Sequence, residues 1–272
     1  MALCRLIASG FVFLLASASG VLAQPAAIGS TPAAPPPSDW TLDVGPGLIV
    51  GPRFEGARDY RVLPIPALDL RYRRDVFFLS ARDGIGGTLF DMDGFKAGPI
   101  LRYRFPRNEG DSGYLTGMGD VPFTLEGGAF LRYEGSHYFS ARIEARRGLG
   151  GHNGLIADAA IDGKLRLGET VFLSAGPRMS LTDGTYNQAY FGVDAAQSAR
   201  SGYAPYSPGG GVKSIGAAAS ALWKITDKLS LVAFGSYANL RDVAGNSPIV
   251  SGPGGSRDQF VGGAAVSWRF EF

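Results

Sequence analysis

The last thirteen residues of the chain, Phe260–Phe272, place an apolar or aromatic side chain at every second position. Because successive side chains of a β-strand point to opposite faces, the segment predicts a strand with one apolar and one polar face. The apolar face carries Phe260, Gly262, Ala264, Val266, Trp268, Phe270 and Phe272. Such a strand suits a transmembrane β-barrel, with its apolar lipid face and aromatic girdle, or the end of a soluble β-sandwich. The rest of the chain decides between these two folds.

The N-terminus has the pattern of a secretory signal peptide over residues 1–23. Arg5 supplies a positive charge, Leu6–Ala18 is an apolar core, and Val21-Leu22-Ala23 provides a cleavage site after Ala23. The apolar core is too short for a membrane-spanning helix. The only cysteine, Cys4, lies in this segment, so the mature chain is predicted to contain no thiol and no disulfide.

Residues 24–39 are rich in proline, alanine and serine, which predicts an extended periplasmic tether without a core. The tether could be a simple spacer or a docking segment for a periplasmic partner. From Trp40 onward no stretch reaches the roughly 18 apolar residues of a transmembrane helix. Residues 40–272 instead show repeated alternation, which indicates one all-β domain.

Twelve segments of this domain are predicted strands. They are Trp40–Gly51, Tyr60–Arg73, Val76–Arg82, Ile85–Asp91, Phe95–Phe105, Phe123–Gly135, His137–Arg147, Leu155–Gly168, Val171–Leu181, Ser214–Thr226, Leu229–Arg241 and Phe260–Phe272. The faces of Leu229–Arg241 cannot be assigned, because its alternation is poor. Omitting the short pair Val76–Arg82 and Ile85–Asp91 gives ten strands as the fallback.

The connections alternate between tight polar turns and longer glycine-rich loops. The long ones are 52–59, 106–122, 148–154, 182–213 and 242–259. Bacterial outer-membrane barrels have an even number of strands, short periplasmic turns and longer extracellular loops, whereas a sandwich has no reason to sort its loops by length. The sequence therefore predicts a transmembrane antiparallel β-barrel in the outer membrane of a Gram-negative bacterium, embedded in outer-membrane lipid.

The polar faces would bring many charged side chains into the barrel lumen, because an arginine facing lipid at the bilayer midplane costs about 2–4 kcal/mol. Besides Asp69, these are Arg71, Arg73, Lys96, Arg102, Arg104, Glu126, Arg132, Glu134, Arg142, Glu144, Arg146, Asp158, Asp162, Lys164, Arg166, Arg178 and Arg269. They could pair as arginine–carboxylate ladders, or they could line a water-filled, mildly anion-preferring pore for small solutes. Loop 182–213 could also fold inward and plug the lumen.

No motif for catalysis, a cofactor or a metal is found. Of the two histidines, His137 begins a predicted strand and His152 lies in loop 148–154, without a nucleophile or orienting group nearby in sequence. Paired histidines, metal-binding spacings and phosphate-binding glycine motifs are also missing. The basic residues face the lumen and form no surface stripe with aromatics, which argues against nucleic-acid binding. We therefore expect a non-enzymatic protein.

The region from about Trp40 onward resembles the MipA/OmpV family of MltA-interacting outer-membrane proteins. The most specific part of the resemblance is the long loop, with Tyr190, Phe191 and Gly192 followed by Ser198, Ala199, Arg200, Ser201 and Gly202. The resemblance implies a scaffold that links a lytic transglycosylase to a penicillin-binding protein in peptidoglycan remodelling. It implies no catalytic residues, and family names also refer to osmotic response and adhesion.

Overall fold

The computed structural model describes residues 39–73 and 75–272. The predicted signal peptide 1–23 and the predicted tether up to residue 38 lie outside the described residues. No helix in the described part of the chain is long and apolar enough to cross a membrane. The described residues form strands joined by short turns at one end of the sheet and by longer loops at the other; we call these the turn end and the loop end.

The strands are β1 (Trp40–Pro52), β2 (Tyr60–Tyr72), β3 (Phe77–Ser80), β4 (Gly84–Gly86), β5 (Phe90–Met92), β6 (Phe95–Arg104), β7 (Thr124–Tyr133), β8 (Phe139–Gly150), β9 (Leu155–Leu167), β10 (Val171–Thr182), β11 (Gly211–Lys224), β12 (Leu229–Leu240) and β13 (Asp258–Glu271). The loop-end helices are α1 (Gly184–Phe191), α2 (Ala195–Ser201), α3 (Asp242–Gly245) and α4 (Pro248–Ser251). Two 3-10 helices, Glu109–Asp111 and Gly113–Leu115, lie between β6 and β7.

These strands form one closed antiparallel barrel. Strand β1 pairs with β13, and β4 and β5 both pair with β6. Since β4 contacts β6 at Ile100 and Leu101 while β5 contacts it at Phe95–Ala97, β4 and β5 are two halves of one interrupted strand. The barrel therefore has twelve strands. The prediction of a twelve-stranded transmembrane barrel is confirmed, and the ten-stranded fallback is not needed.

Aromatic rings mark both ends of the outer wall, as in an outer-membrane barrel. At the turn end, Trp40 and Tyr72 lie with ring centroids 4.7 Å apart, and Phe95 and Tyr133 are separated by 4.8 Å. At the loop end, Tyr103 stacks on Phe123 at 5.8 Å. Exposed aliphatic side chains cover the wall between these bands, for example those of Ile143, Leu131 and Leu165.

The faces of the segment Leu229–Arg241 could not be assigned from the sequence, but its pairing with the neighbouring strands assigns them. Its register pairs Leu231 with Val266 and Tyr237 with Phe260 on β13. Leu231 and Tyr237 therefore share the lipid-facing side, and Phe234 points into the lumen with Ser236. The alternation is hidden in the sequence because small residues such as Ala233 and Gly235 occupy lipid-facing positions.

The long loops predicted from glycine content are partly helical. Asp183 caps α1 by accepting a hydrogen bond from the Tyr186 backbone, and Asp194 and Gln197 form a capping box on α2. Two buried hydrophobic clusters hold these loops together over the loop end of the barrel. One contains Val121, Ile156, Tyr186, Tyr190, Phe191, Leu240, Ala244 and Val250, and the other contains Phe54, Ala57, Leu115, Met118, Val193 and Ile249.

Candidate functional site: the charged lumen and its helical plug

A first group of lumen charges is organised around the hairpin that joins β3 to β4. Asp83, at the tip of this hairpin, accepts hydrogen bonds from Arg71 at 2.8 Å and from Arg142 at 3.1 Å. Asp75, in the turn before β3, binds Arg71 at 2.5 Å and Arg132 at 2.7 Å. Arginines from three different strands thus share two turn carboxylates. The short hairpin is tied to the inner wall by charge as well as by its β-pairing.

The ion pairs continue toward the loop end along β7 and β8. The Glu144 carboxylate accepts two hydrogen bonds from the Arg102 guanidinium, at 2.8 and 2.7 Å. It also forms ion pairs with Arg142 and Arg146. Arg146 reaches on to Glu126 at 3.1 Å, and it also contacts Asp158. Glu126, Glu144 and Arg146 are all buried. Each buried charge therefore has opposite charges beside it, which is what a low-dielectric interior requires.

At the loop end this network reaches the plug helix α1. Arg104 binds Glu126 at 2.5 Å and lies 3.7 Å from Glu55 of the β1–β2 loop. Glu55 in turn binds Lys213 of β11 at 2.6 Å and accepts a 2.6 Å hydrogen bond from the Tyr186 hydroxyl. Tyr186, on α1, is fully buried. The helix therefore closes over the lumen mouth, with charged partners from several sides of the barrel.

The electrostatics of this contact favour an ionised Glu55. Burial opposes ionisation of the carboxyl, but the positive charges of Lys213 and Arg104 outweigh burial and hold the pKa of Glu55 below its usual range. At Tyr186 burial prevails: together with the neighbouring Glu55 it raises the pKa of the phenol well above its usual range, against the opposing charge of Arg104. The plug therefore joins a neutral phenol to a charged carboxylate at neutral pH.

His152 belongs to the same buried cluster. Its Nε2 lies 3.2 Å from Glu126 Oε1, and its Nδ1 accepts a hydrogen bond from the Gly154 backbone at 3.3 Å. Because Nδ1 accepts, Nε2 carries the proton and donates to the carboxylate. The ring also packs edge-on against Tyr186 at 5.0 Å and Tyr190 at 5.5 Å. The imidazole thus connects the β8–β9 loop to the plug. His137, by contrast, is exposed in a turn-end connection.

The other predicted lumen charges have more varied positions. Asp162 binds Arg178 at 2.6 Å, and Arg269 binds Asp43 at 2.7 Å. Lys96 lies 3.8 Å from both Asp75 and Glu134. Arg166 donates to the Gly168 carbonyl near the turn end, and Lys164 is half-buried on the same strand.

Arg73 departs from the predicted lumen position. It lies in the turn after β2 with a positive φ of 42°, and its exposed guanidinium binds Asp39 at 3.0 Å. The alternation of β2 ends at Tyr72, so parity no longer determines where the next side chain points.

The loops held together by the two hydrophobic clusters cover the lumen at the loop end, and we call them the dome. The loop residues that carry the family resemblance belong to it. Tyr190 and Phe191 are buried in α1, and the Gly192 backbone closes the end of that helix. Ser198 and Arg200 of α2 bind the backbone of Tyr203 and Gly117. Ser201 accepts from the Tyr203 backbone, Ala199 lies within α2, and Gly202 ends α2 with a φ of 77°, which favours glycine. These residues pack loops together and do not point into a binding pocket.

Several members of the network were not identified from the sequence. Glu55, Asp75 and Asp83 lie in connections, where alternation gives no information about direction, and Lys213 sits at a predicted strand boundary. Asp43 could have been found, since it alternates with Leu42 and Val44 on β1. The role of Tyr186 depends on contacts 131 residues apart in sequence and has no local signal.

The family model described as MltA-interacting protein MipA matches residues 44–270. The chain belongs to the MipA family. This confirms the family resemblance of the loop residues. No curated protein sequence matches the chain.

Solved structures similar to this MipA-family chain include an outer membrane channel and a porin. The COG4313 outer membrane channel from Pseudomonas putida F1 is 11% identical with a TM-score of 0.47, over 89% of this chain and 100% of that one. The NanC porin is 9% identical with a TM-score of 0.42, over 84% of this chain and 98% of that one.

Proposed function

We propose that this MipA-family protein is a non-catalytic outer-membrane scaffold whose barrel anchors peptidoglycan-remodelling enzymes to the envelope. The observation that carries the proposal is the continuous set of ion pairs from Asp83 to Lys213, which ends at the buried Tyr186 of the plug. The arginines of this set bind carboxylates instead of facing an open channel. A barrel organised in this way is suited to be a rigid membrane anchor.

The family description supports one partner class, a lytic transglycosylase, because it names an MltA-interacting protein. We extend the proposal to a penicillin-binding protein as the second linked enzyme. The turns at the turn end are short, as between Leu167 and Val171, whereas a stable protein interface buries about 1,200–2,000 Å². The proline-rich residues 24–39 are therefore the better candidate for the main contact.

Co-purification tests this assignment. The full-length protein, expressed with its own signal sequence, should recover a lytic transglycosylase from solubilised envelopes, and deletion of Gln24–Pro37 should reduce that recovery severalfold. A variant with the same residues in shuffled order is the matched control for tether length. Recovery that is equal for the native and the deleted protein would count against the scaffold.

A small-solute channel is the second candidate, and it is supported by the other half of the lumen. On β10–β13 many inward positions carry small or hydroxyl side chains, and Ser174 and Ser220 share a 2.8 Å hydrogen bond. The larger inward side chains of this half include Phe234, Arg178 and Arg269. The small side chains fill less of the lumen than the paired arginines on β6–β8. Under this alternative, Arg132→Gln with Arg142→Gln should shift ion selectivity toward cations without loss of the fold.

A further inference from the structure

The barrel wall is incomplete near the loop end, between β2 and β6. Strand β3 pairs with β2 only along Asp69–Tyr72, with one further bond from the Ala81 nitrogen to the Leu68 carbonyl. Strand β4 pairs with β6 only as far toward the loop end as Leu101. Between these points and the loop end, among the described residues, β2 pairs only with β1 and β6 only with β7. The β3–β4 hairpin thus forms the floor of a lateral notch.

The β2 edge of the notch is chemically unusual. Since the Leu68 carbonyl faces β3, the even-numbered residues of β2 direct their backbone groups to that side. Pro64 and Pro66 share this side and have no N–H to offer. A strand added from another chain could therefore not pair normally with β2. The two prolines therefore keep this edge of β2 from pairing with a further strand.

An open edge at membrane depth needs a polar partner. Backbone groups of β6 beyond Leu101, beginning with those of Tyr103, face the notch, because the Ala97 and Pro99 carbonyls face β5 and its flank. Lipid tails cannot satisfy such groups, and a bare sheet edge does not occur in the hydrocarbon region. Water or a polar headgroup must occupy the notch.

Arg82, at the tip of the hairpin, gives the notch a positive charge. It is exposed, and within the described part of the chain its guanidinium has no hydrogen bond or ion pair. The neighbouring Asp83 forms its direct ion pairs with Arg71 and Arg142, so Arg82 shares this carboxylate with two other arginines. The tip lies beside Leu101, two residues along β6 from Tyr103 of the loop-end aromatic band. An exposed arginine whose nearest carboxylate is shared with two other arginines can still bind an anion.

We propose that the notch binds the phosphate headgroup of a lipid from the outer leaflet, with Arg82 as the phosphate-binding residue. The notch opens sideways through the wall, so a molecule that resides in the leaflet reaches it directly. Val62, which is 60% exposed, and the exposed Pro64 lie beside it on the lipid-facing side of β2 and offer apolar surface for an acyl chain. This site is independent of the scaffold proposal, since it lies in the barrel wall near the loop end and uses none of the residues 24–39.

Native mass spectrometry of the full-length mature protein tests the site. Nanodiscs of phosphatidylcholine with a minor fraction of phosphatidylglycerol would supply the anionic lipid. We expect the native protein to retain phosphatidylglycerol selectively and Arg82→Gln to retain it about tenfold less, because a charge-assisted hydrogen bond is lost. Arg82→Lys should keep most of the selectivity. Heat-modifiable migration on gels would establish that each variant is folded.

Arg147→Gln is the matched control. Arg147 is also exposed near the loop end, but β8 pairs there on both sides, with Gly127 and with Leu155. Its substitution should leave lipid retention unchanged. Equal retention by native protein and Arg82→Gln, or an equal loss in Arg147→Gln, would overturn the proposal. Displacement of the lipid by inorganic phosphate alone would also overturn it, since it would indicate a free-anion site.

Discussion

The Tyr186 hydroxyl donates a 2.6 Å hydrogen bond to Glu55, and Lys213 binds the same carboxylate group at 2.6 Å. The three residues come from the plug helix, the first long loop and the start of β11. Their meeting point is buried, with the Lys213 ammonium also 5.0 Å from the Tyr186 ring centroid. The plug is therefore fixed by a specific charged contact in addition to its hydrophobic packing.

Removal of the Tyr186 hydroxyl should loosen the plug while preserving its packing. For Tyr186→Phe we expect a loss of about 2 kcal/mol in the free energy of unfolding, because a hydrogen bond to a charged group is removed. Urea unfolding of the refolded barrel, followed by gel migration, measures this. Tyr203→Phe, which loses a bond from a hydroxyl to the neutral Tyr114 carbonyl, should cost less. Equal costs for the two variants would contradict the special role of Tyr186.

The plug should also weaken in acid. Despite burial, Lys213 and Arg104 hold the pKa of Glu55 below its ordinary value of 4.5. Its contribution to stability is therefore complete above about pH 4.5 and is lost as the pH falls through the lowered pKa. Hydrogen exchange in α1 should accelerate over that range. Glu55→Gln should abolish this pH dependence; an acid response that persists in the variant would assign it to another group.

Glu126 is expected to be the most sensitive carboxylate of the network. It is buried and binds Arg104, Arg146 and His152, so Glu126→Gln leaves the buried Arg146 and the half-buried Arg104 short of negative charge. We expect a loss of about 3 kcal/mol in unfolding free energy. Glu134→Gln is the control, because Glu134 is more exposed and its nearest cation is 3.4 Å away. Its substitution should cost less than about 1 kcal/mol.

The orientation in the membrane can be read from labelling. Ala196 is exposed on α2 at the loop end, and Asp227 is exposed in the β11–β12 turn. Cysteine at position 196 should react with an impermeant maleimide on intact cells, because long loops face the exterior. Cysteine at position 227 should react only after the outer membrane is permeabilised. The reverse pattern would invert the barrel.

The strands of the barrel could be predicted because a half-lipid, half-lumen environment gives each strand a two-residue period. Arg102, Arg142 and Glu144 follow that period and lie on the lumen side. Partners in the connections do not, so the binding of Asp83 to Arg71 and Arg142 had no sequence signal. The lateral notch could not be predicted for a related reason. Alternation continues beyond Ser80 in the sequence, whereas the β3–β4 hairpin ends where its pairing with β2 stops.

The sequence did not decide whether loop 182–213 closes the mouth of the barrel, as α1 does. Loop 182–213 could be seen as a candidate plug, but helix α1 within it is only eight residues long, and the buried face of α1 is specified by distant residues. Tyr186, Asn187, Tyr190 and Phe191 are buried because the surrounding loops supply Val121 and Val250 and strand β9 supplies Ile156. Such packing is a property of the assembled dome and has no local pattern.

Single-channel recording in planar bilayers tests the closed, ion-paired barrel most directly. Deletion of residues 184–209 gives a matched open variant, because Thr182 and Gly211 are paired and the remaining Asp183-Gly210 sequence suits a two-residue hairpin turn. This variant should conduct through the half of the lumen lined by small side chains, which shows that the recording detects an open barrel. The native protein is predicted to remain silent under the same conditions. Sustained anion-selective conductance through the native protein would contradict the account and favour the channel.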